Sequence, residues 1–208
     1  MEPFTTLTGI AAPLDEANVD TNQLCPTRFN KQPRGKGFSK ILLHDRRFNE
    51  DGSTNSDFVL NRSPYDRARI LVSGRNFGCG SSRETAVWGL LDFGIRVVIA
   101  PTFGDIFVGN SYKNGLLPII LPADVVRRIL DRVLATIGLE IGIDLERQIV
   151  AVPGEESWPF AMHPLIKRRL LRGQDEITLT SEYLSQIVNF EKDYHVRRSW
   201  LTRSGAPT

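Results

Sequence analysis

Apolar positions along the chain switch repeatedly between a spacing of two and a spacing of three to four. Residues 4–14 alternate weakly and predict a strand that Pro13 helps to end. Residues 15–40 carry no sustained period; Pro26, Pro33, Gly35 and Gly37 punctuate them, and Lys31 to Lys40 forms a Gly- and Lys-rich loop. A second polar stretch runs from Asn49 to Ser56, with Asp51-Gly52 as its turn signal. The centre is better ordered. Ala68 to Ser73 predicts a strand and Ser81 to Phe93 a helix closed by Gly94. Ile95 to Ala100, apolar except for Arg96, predicts a buried strand.

A short helix over Ile106 to Lys113, ended by Gly115, and a strand over Leu116 to Leu121 follow. Ala123 to Thr136 then places Val125, Val126, Ile129, Leu130, Val133 and Leu134 at helical spacing. Leu139 to Val152 contains two alternating runs that meet at Asp144-Leu145-Glu146, which predicts a hairpin. Residues 159–172 and 181–198 predict terminal helices, separated at Gly173 and by a short Ile177-Thr178-Leu179 strand. Strand–helix alternation in the middle of the chain defines an α/β domain.

Composition narrows the function more than the fold. The 208 residues suit one domain, or one domain with a terminal extension. Hydrophobic residues at 41% and charged residues at 24% are ordinary for a water-soluble domain. A net charge of +2 gives no general attraction to nucleic acid or membranes, so Lys167-Arg168-Arg169 and Arg197-Arg198 read as solvated helix faces. The expectation is therefore no nucleic-acid partner and no membrane partner. No secretory signal is visible and no apolar run approaches the roughly 20 residues that span a bilayer. A reduced, cytoplasmic setting is expected. The two cysteines, Cys25 and Cys79, form neither a disulfide framework nor a metal-ligand spacing, and the expected metal set on this chain is none.

The chemistry concentrates in Gly74-Arg75-Asn76-Phe77-Gly78-Cys79-Gly80-Ser81-Ser82-Arg83-Glu84, between a strand and a helix. Ser81-x-x-Glu84 has the form of a capping box, so a purely structural helix start is one reading. The three glycines add another, because they let the backbone approach a ligand closely, and the helix amides favour an anion. Arg83 opposes the helix dipole at this position and thus calls for a different role; a guanidinium there can hold a carboxylate bidentately. No lysine follows Gly80 as a phosphate loop requires, and the spacing is not G-x-G-x-x-G, which favours a small carboxylate over a nucleotide. Cys79 sits where thiolate formation is easier, but His44, His163 and His195 all lie outside the run. Ser81 can serve as an alkoxide base if positive groups stabilise it. Both chemistries stay open on the residues alone.

These residues resemble the signature of the aconitase-superfamily swivel domain and, more narrowly, the small-subunit family of bacterial 3-isopropylmalate dehydratases (isopropylmalate isomerases). The resemblance extends to Pro13-Leu14 with Asn18-Val19-Asp20-Thr21, to Glu50-Asp51-Gly52-Ser53 and to Asp57-Phe58-Val59-Leu60-Asn61. It continues through Val97 to Phe103, Asp105-Ile106-Phe107, Gly109-Asn110-Ser111, Leu116-Leu117-Pro118 and Phe160 to Thr180, thus covering nearly the whole chain. It implies a three-layer β/β/α swivel domain over residues 1–208, with a core of about 1–150 and a C-terminal helical extension of about 155–208. It further implies a hydro-lyase that interconverts 2-isopropylmalate and 3-isopropylmalate by dehydration and rehydration in leucine biosynthesis.

In that family Ser81 would be the catalytic base, Arg83 and Ser82 would bind a substrate carboxylate, and Asn76 would shape the pocket. Thr85, Cys79 and Asp20 would stand just behind them. The small dicarboxylate would meet a [4Fe–4S] cluster acting as Lewis acid. Cluster ligation takes several thiolates, so with two cysteines the cluster is expected on a separate large subunit, giving an obligate heterodimer. A homo-oligomer stays open for the isolated chain.

Departures from the pattern are specific. Thr85 stands where the family usually has histidine, Asn22 where it has a second aspartate, and Leu24-Cys25 where it has isoleucines. A substrate-recognising arginine of the 31–40 loop is offset here; Arg34 is the candidate and Arg28 the fallback. These changes keep open a paralogous hydro-lyase acting on another diacid, of citraconate/methylmalate or dimethylmalate type, and a binding protein without activity.

Overall fold

The computed structural model describes residues 1–35, 37–80, 83–181, 183–198 and 200. The chain divides into two compact units, Met1–Gly173 and Gln174–Thr208.

The first unit opens with strand β1 (Thr6–Leu14), followed by three single-turn helices, α1 (Thr21–Leu24), α2 (Phe38–Ile41) and α3 (His44–Arg47). Then come β2 (Ile70–Ser73), α4 (Glu84–Phe93), β3 (Val97–Ala100), α5 (Asp105–Asn114), β4 (Leu117–Ile120) and α6 (Ala123–Ala135). Strands β5 (Glu140–Asp144), β6 (Ile149–Ala151) and β7 (Trp158–Pro159) and helix α7 (Pro164–Arg172) complete it. The second unit holds α8 (Glu176–Ser181) and α9 (Leu184–Arg197).

The described strands form one sheet in the order β4-β3-β2-β1-β5-β6-β7. Its two halves differ in kind and share β1. Ala11 to Leu14 pair in parallel with Ile70 to Ser73, whereas Thr6 to Ile10 pair antiparallel with Asp144 to Glu140. Strands β2 and β3 are buried on both faces, which is why Ile70 to Val72 and Val97 to Ala100 are uninterrupted apolar runs in sequence. Alternate residues of these strands feed two cores. Ile70, Val72, Val97 and Ile99 join α6 and the antiparallel half through Ile141, Ile143 and Val150. Leu71, Val98 and Ala100 face the opposite way, toward Ala86, Val87 and Leu90 of α4 and Phe38 of α2. The sheet thus curls around the first core, which α6 also lines, and carries α2, α4 and α5 over the second, a mixed α/β architecture with the expected β/β/α layering.

Helix α6 shows how local pattern becomes packing. Val126, Ile129, Leu130 and Val133 form its buried stripe against the sheet. Burying each such side chain stabilises the fold by about 1.5–3 kcal/mol, so truncating Ile129 to alanine removes much of the reason for the helix to sit there.

Three expectations are corrected. Helix α4 begins at Glu84, with Arg83 in extended conformation at its N-cap, so Ser81 and Glu84 are not spaced as cap and third residue. Ile177 to Leu179 belong to α8 rather than to a strand; the Asp175 carboxylate accepts from the Thr178 amide at 2.7 Å, a bond that starts a helical turn. The helix expected from residue 159 starts at Pro164, because Trp158–Pro159 extends the sheet and His163 Nδ1 accepts from the Leu165 amide at 3.3 Å.

Candidate active site

The glycine-rich run leaves β2 and is stitched, residue by residue, to the segment that follows β1. Gly74 donates its amide to the Glu16 carbonyl at 2.9 Å. Asn18 donates its amide to the Arg75 carbonyl at 2.9 Å, and Asn76 Nδ2 donates to Asn18 Oδ1 at 2.8 Å. Both asparagines hold left-handed backbone, with φ of 58° and 60°, a conformation that asparagine tolerates better than most residues. Gly78 donates to the Val19 carbonyl at 2.7 Å, and Thr21 donates to the Cys79 carbonyl at 3.0 Å. A second line of bonds ties the run to the start of α5: Phe77 donates to the Thr102 carbonyl at 3.1 Å and Gly104 to the Phe77 carbonyl at 2.9 Å.

Asp20 sits at the centre of this stitching. Its carboxylate accepts from the Gln23 amide at 2.7 Å while Gln23 Oε1 accepts from the Asp20 amide at 2.8 Å. This is a complete capping box on α1. The pattern Ser81-x-x-Glu84 predicts that device at α4, whereas the structure carries it on α1. Its result is to fix the next residues, Thr21 and Asn22, against the run.

Arg83 reaches across to that turn. Its Nη1 donates to Asn22 Oδ1, and Thr27 Oγ1 donates to the same oxygen at 2.9 Å. Among the described residues no carboxylate pairs with Arg83. Thr85, buried on the first turn of α4, donates to Asn30 Oδ1 at 3.3 Å. Cys25, also buried, lies beside Thr85 and within the field of Arg83. Burial pushes the Cys25 thiol up, against smaller opposing pulls from Thr85 and Arg83. Among the described residues Glu84 closes no capping box; it accepts from Asn114 Nδ2 at 2.7 Å, and Asn114 Oδ1 accepts from Trp88 Nε1 at 3.1 Å.

The sequence-predicted residues therefore divide. Asn76, Cys79, Asp20, Arg83 and Thr85 are brought together along one seam. Ser81 and Ser82 lie outside the described residues. Arg34 stacks its guanidinium over the Trp88 ring, 5.3 Å from the centroid, on the face of α4 that also packs Phe38. Arg28 is engaged elsewhere: both of its terminal nitrogens bond the Asp45 carboxylate, one of them at 3.1 Å, and His44 Nδ1 lies 3.2 Å away. That pairing holds the Asp45 carboxyl below the usual range and raises Arg28 further. Asn18, Asn22, Thr27 and Asn30 were missed as members of the seam. Asn18 and Asn22 had a signal in the resemblance, Asn18 inside a matching segment and Asn22 at a departure from it, whereas Thr27 and Asn30 had only their position in a segment without period.

Among the described residues, no three or more His, Cys, Asp and Glu side chains gather into a metal site. No described helix is long and apolar enough to cross a membrane.

This seam and the curled sheet belong to a recognisable class. The family model described as the aconitase C-terminal domain matches residues 1–124. A solved structure of a 3-isopropylmalate dehydratase from Methanocaldococcus jannaschii shares the fold, with a TM-score of 0.64 over 88% of this chain and 99% of that one, at 24% identity. The 3-isopropylmalate dehydratase small subunit of Granulibacter bethesdensis is 48% identical, over 100% of this chain and 99% of its own. That of Paramagnetospirillum magneticum is 46% identical, over 97% and 100%. The chain belongs to the aconitase C-terminal domain family and, within it, to the 3-isopropylmalate dehydratase small subunits.

Proposed function

We propose that this chain is the carboxylate-binding half of a two-subunit hydro-lyase that interconverts 2-isopropylmalate and 3-isopropylmalate by loss and re-addition of water. One observation carries the proposal. Arg83 stands at the N-terminus of α4, held by a neutral amide and by no described carboxylate, in a chain whose full-length relatives are dehydratase small subunits. A guanidinium in that state has its full charge available for a substrate carboxylate, and the amides of the first helical turn add to the attraction.

The reaction assigns further roles. Ser81 Oγ removes the proton from the carbon next to a carboxylate. The C–H bond breaks, an O–H bond forms, and the electron pair becomes the carbon–carbon double bond as hydroxyl leaves the neighbouring carbon. Re-addition of water in the opposite sense gives the isomer. Ser82 supports the carboxylate. Asn76, bonded to Asn18, and Cys79, bonded through its carbonyl to Thr21, shape the floor.

A [4Fe–4S] cluster supplies Lewis acidity to the departing hydroxyl in this chemistry. This chain does not suit such a cluster: Cys25 is sealed in the core and Cys79 is the remaining thiol. The proposal therefore puts the cluster on a separate large subunit, with which this chain forms a heterodimer.

The test is anaerobic reconstitution with a cluster-bearing large subunit, assayed on 3-isopropylmalate, citraconate and citrate. Turnover of isopropylmalate that collapses with Ser81→Ala supports the reading; no turnover of any diacid overturns it. Thr85, where the resemblance expects histidine, favours one second reading, a paralogue for a different diacid. Turnover of citraconate in preference to isopropylmalate would select that reading.

A further inference from the structure

Arg83 is held differently from Arg28 and Arg46. Arg28 is matched to Asp45, and Arg46 is matched to Glu16, donating to Oε2 at 2.6 Å. Each of these guanidinium groups has its charge answered by a carboxylate on the chain. Arg83 instead meets the side-chain carbonyl of Asn22. That oxygen is not a chance acceptor. Asn22 is the second residue of α1, whose first turn is locked by the Asp20–Gln23 capping box and tied to the run by the Thr21 to Cys79 bond. Thr27 Oγ1 donates to the same oxygen at 2.9 Å, so both of its lone-pair directions are used and the amide plane is pinned.

We propose that Asn22 is a positioning residue for Arg83: it fixes the direction of the guanidinium from one side and leaves the opposite edge, with its charge, for a carboxylate. A side chain as long as arginine samples many rotamers in the absence of such a tether. An amide oxygen removes that freedom without neutralising the group. The tether is anchored on the run's own backbone, so the guanidinium and the run are held in one frame. Thr27 is its lock.

The inference rests on the functional reading above, and its test separates the two. In the reconstituted enzyme, Asn22→Ala is expected to lower kcat/KM for 3-isopropylmalate by about tenfold, mostly through KM, as for loss of a hydrogen bond to a charged group. Asn22→Asp keeps an acceptor oxygen at the same place but sets a carboxylate against the guanidinium, so it is expected to keep the tether while raising KM, because the charge is then answered on the chain itself. Independently, nitrogen-15 spectra of the full free chain should show the Arg83 guanidinium rotating slowly in wild type and in Asn22→Asp, and rapidly in Asn22→Ala. An Asn22→Ala enzyme with unchanged KM, or an Asn22→Asp enzyme with unchanged KM, overturns the proposal. So does an Arg83 signal that ignores the substitution. If the wild-type enzyme turns over no isopropylmalate, the functional reading fails, and the spectra alone decide the tether.

Discussion

The ring of Phe107 fills the space that a side chain at Gly78 would need: a Cβ built there would lie 2.7 Å from Phe107 Cδ2 and 2.8 Å from Phe107 Cβ. Gly78 also has a φ of 70°, in the left-handed region. Two independent constraints thus require glycine at the middle of the seam, and the Phe107 contact packs α5 against it.

Gly78→Ala is accordingly expected to destabilise the first unit by about 2–4 kcal/mol, the sum of a strained backbone and an overpacked contact. Gly109 lies on the exposed side of the same helix with open space around it. Gly109→Ala should stabilise by about 0.5–1 kcal/mol through helix propensity. Urea unfolding of the two variants should move the midpoint in opposite directions.

Thr85→Val keeps the shape of a buried side chain but removes the hydroxyl that bonds Asn30. The expected cost is about 0.5–1.5 kcal/mol in urea unfolding. The partner residue is equally informative: Asn30→Ala in the Thr85→Val background should add less than it does alone, because the two share one bond. Full additivity would show that the contact contributes nothing.

Asp45 gives the acid limb of stability a named source. Its carboxyl is more acidic in the folded chain than in the unfolded one, first because of the Arg28 hydrogen bond. The stabilisation is therefore complete above the ordinary carboxylate range, about pH 4, and is lost as pH falls through the lower folded value. Both side chains are more than half exposed, so solvent screening keeps the effect under about 1 kcal/mol. The stability gap between wild type and Asp45→Asn should be present at pH 6 and close below about pH 4. A gap that widens on acidification would contradict the assignment.

The two thiols should separate cleanly. Cys25 has no accessible surface and its burial favours the neutral thiol, whereas Cys79 is partly exposed. A thiol reagent at pH 8 should modify Cys79 in the native chain and reach Cys25 only on unfolding. Mass spectrometry of the labelled peptides reads this directly.

The parts of the fold legible in sequence are those governed by one local rule. Val97 to Ala100 is buried on both faces and so reads as a continuous apolar strand, and α6 announces itself through Val126, Ile129, Leu130 and Val133. Gly94 closes α4 with a φ of 113°, as its position after Phe93 implied. The seam was only half legible. The glycines and Arg83 stood out by composition, but their partners Asn18, Asn22 and Asn30 are distant in sequence and carry no period. Backbone bonds such as Gly78 to Val19 leave no trace in side-chain identity at all. The capping box was misplaced for a related reason: Ser81-x-x-Glu84 and Asp20-x-x-Gln23 fit the same pattern, and only tertiary context chooses between them.

The shared strand β1 has a consequence for how the chain is made. It precedes both of its partners in synthesis, and its Ala11 to Leu14 half finds one only when Ile70 to Ser73 have been made. Its Thr6 to Ile10 half waits until residue 144. At about 5–20 residues per second, that is a delay of several seconds during which an apolar strand has an open edge. Among the described strands, β1 keeps an edge open longest during translation, and chaperone binding to the nascent chain is expected to concentrate on it.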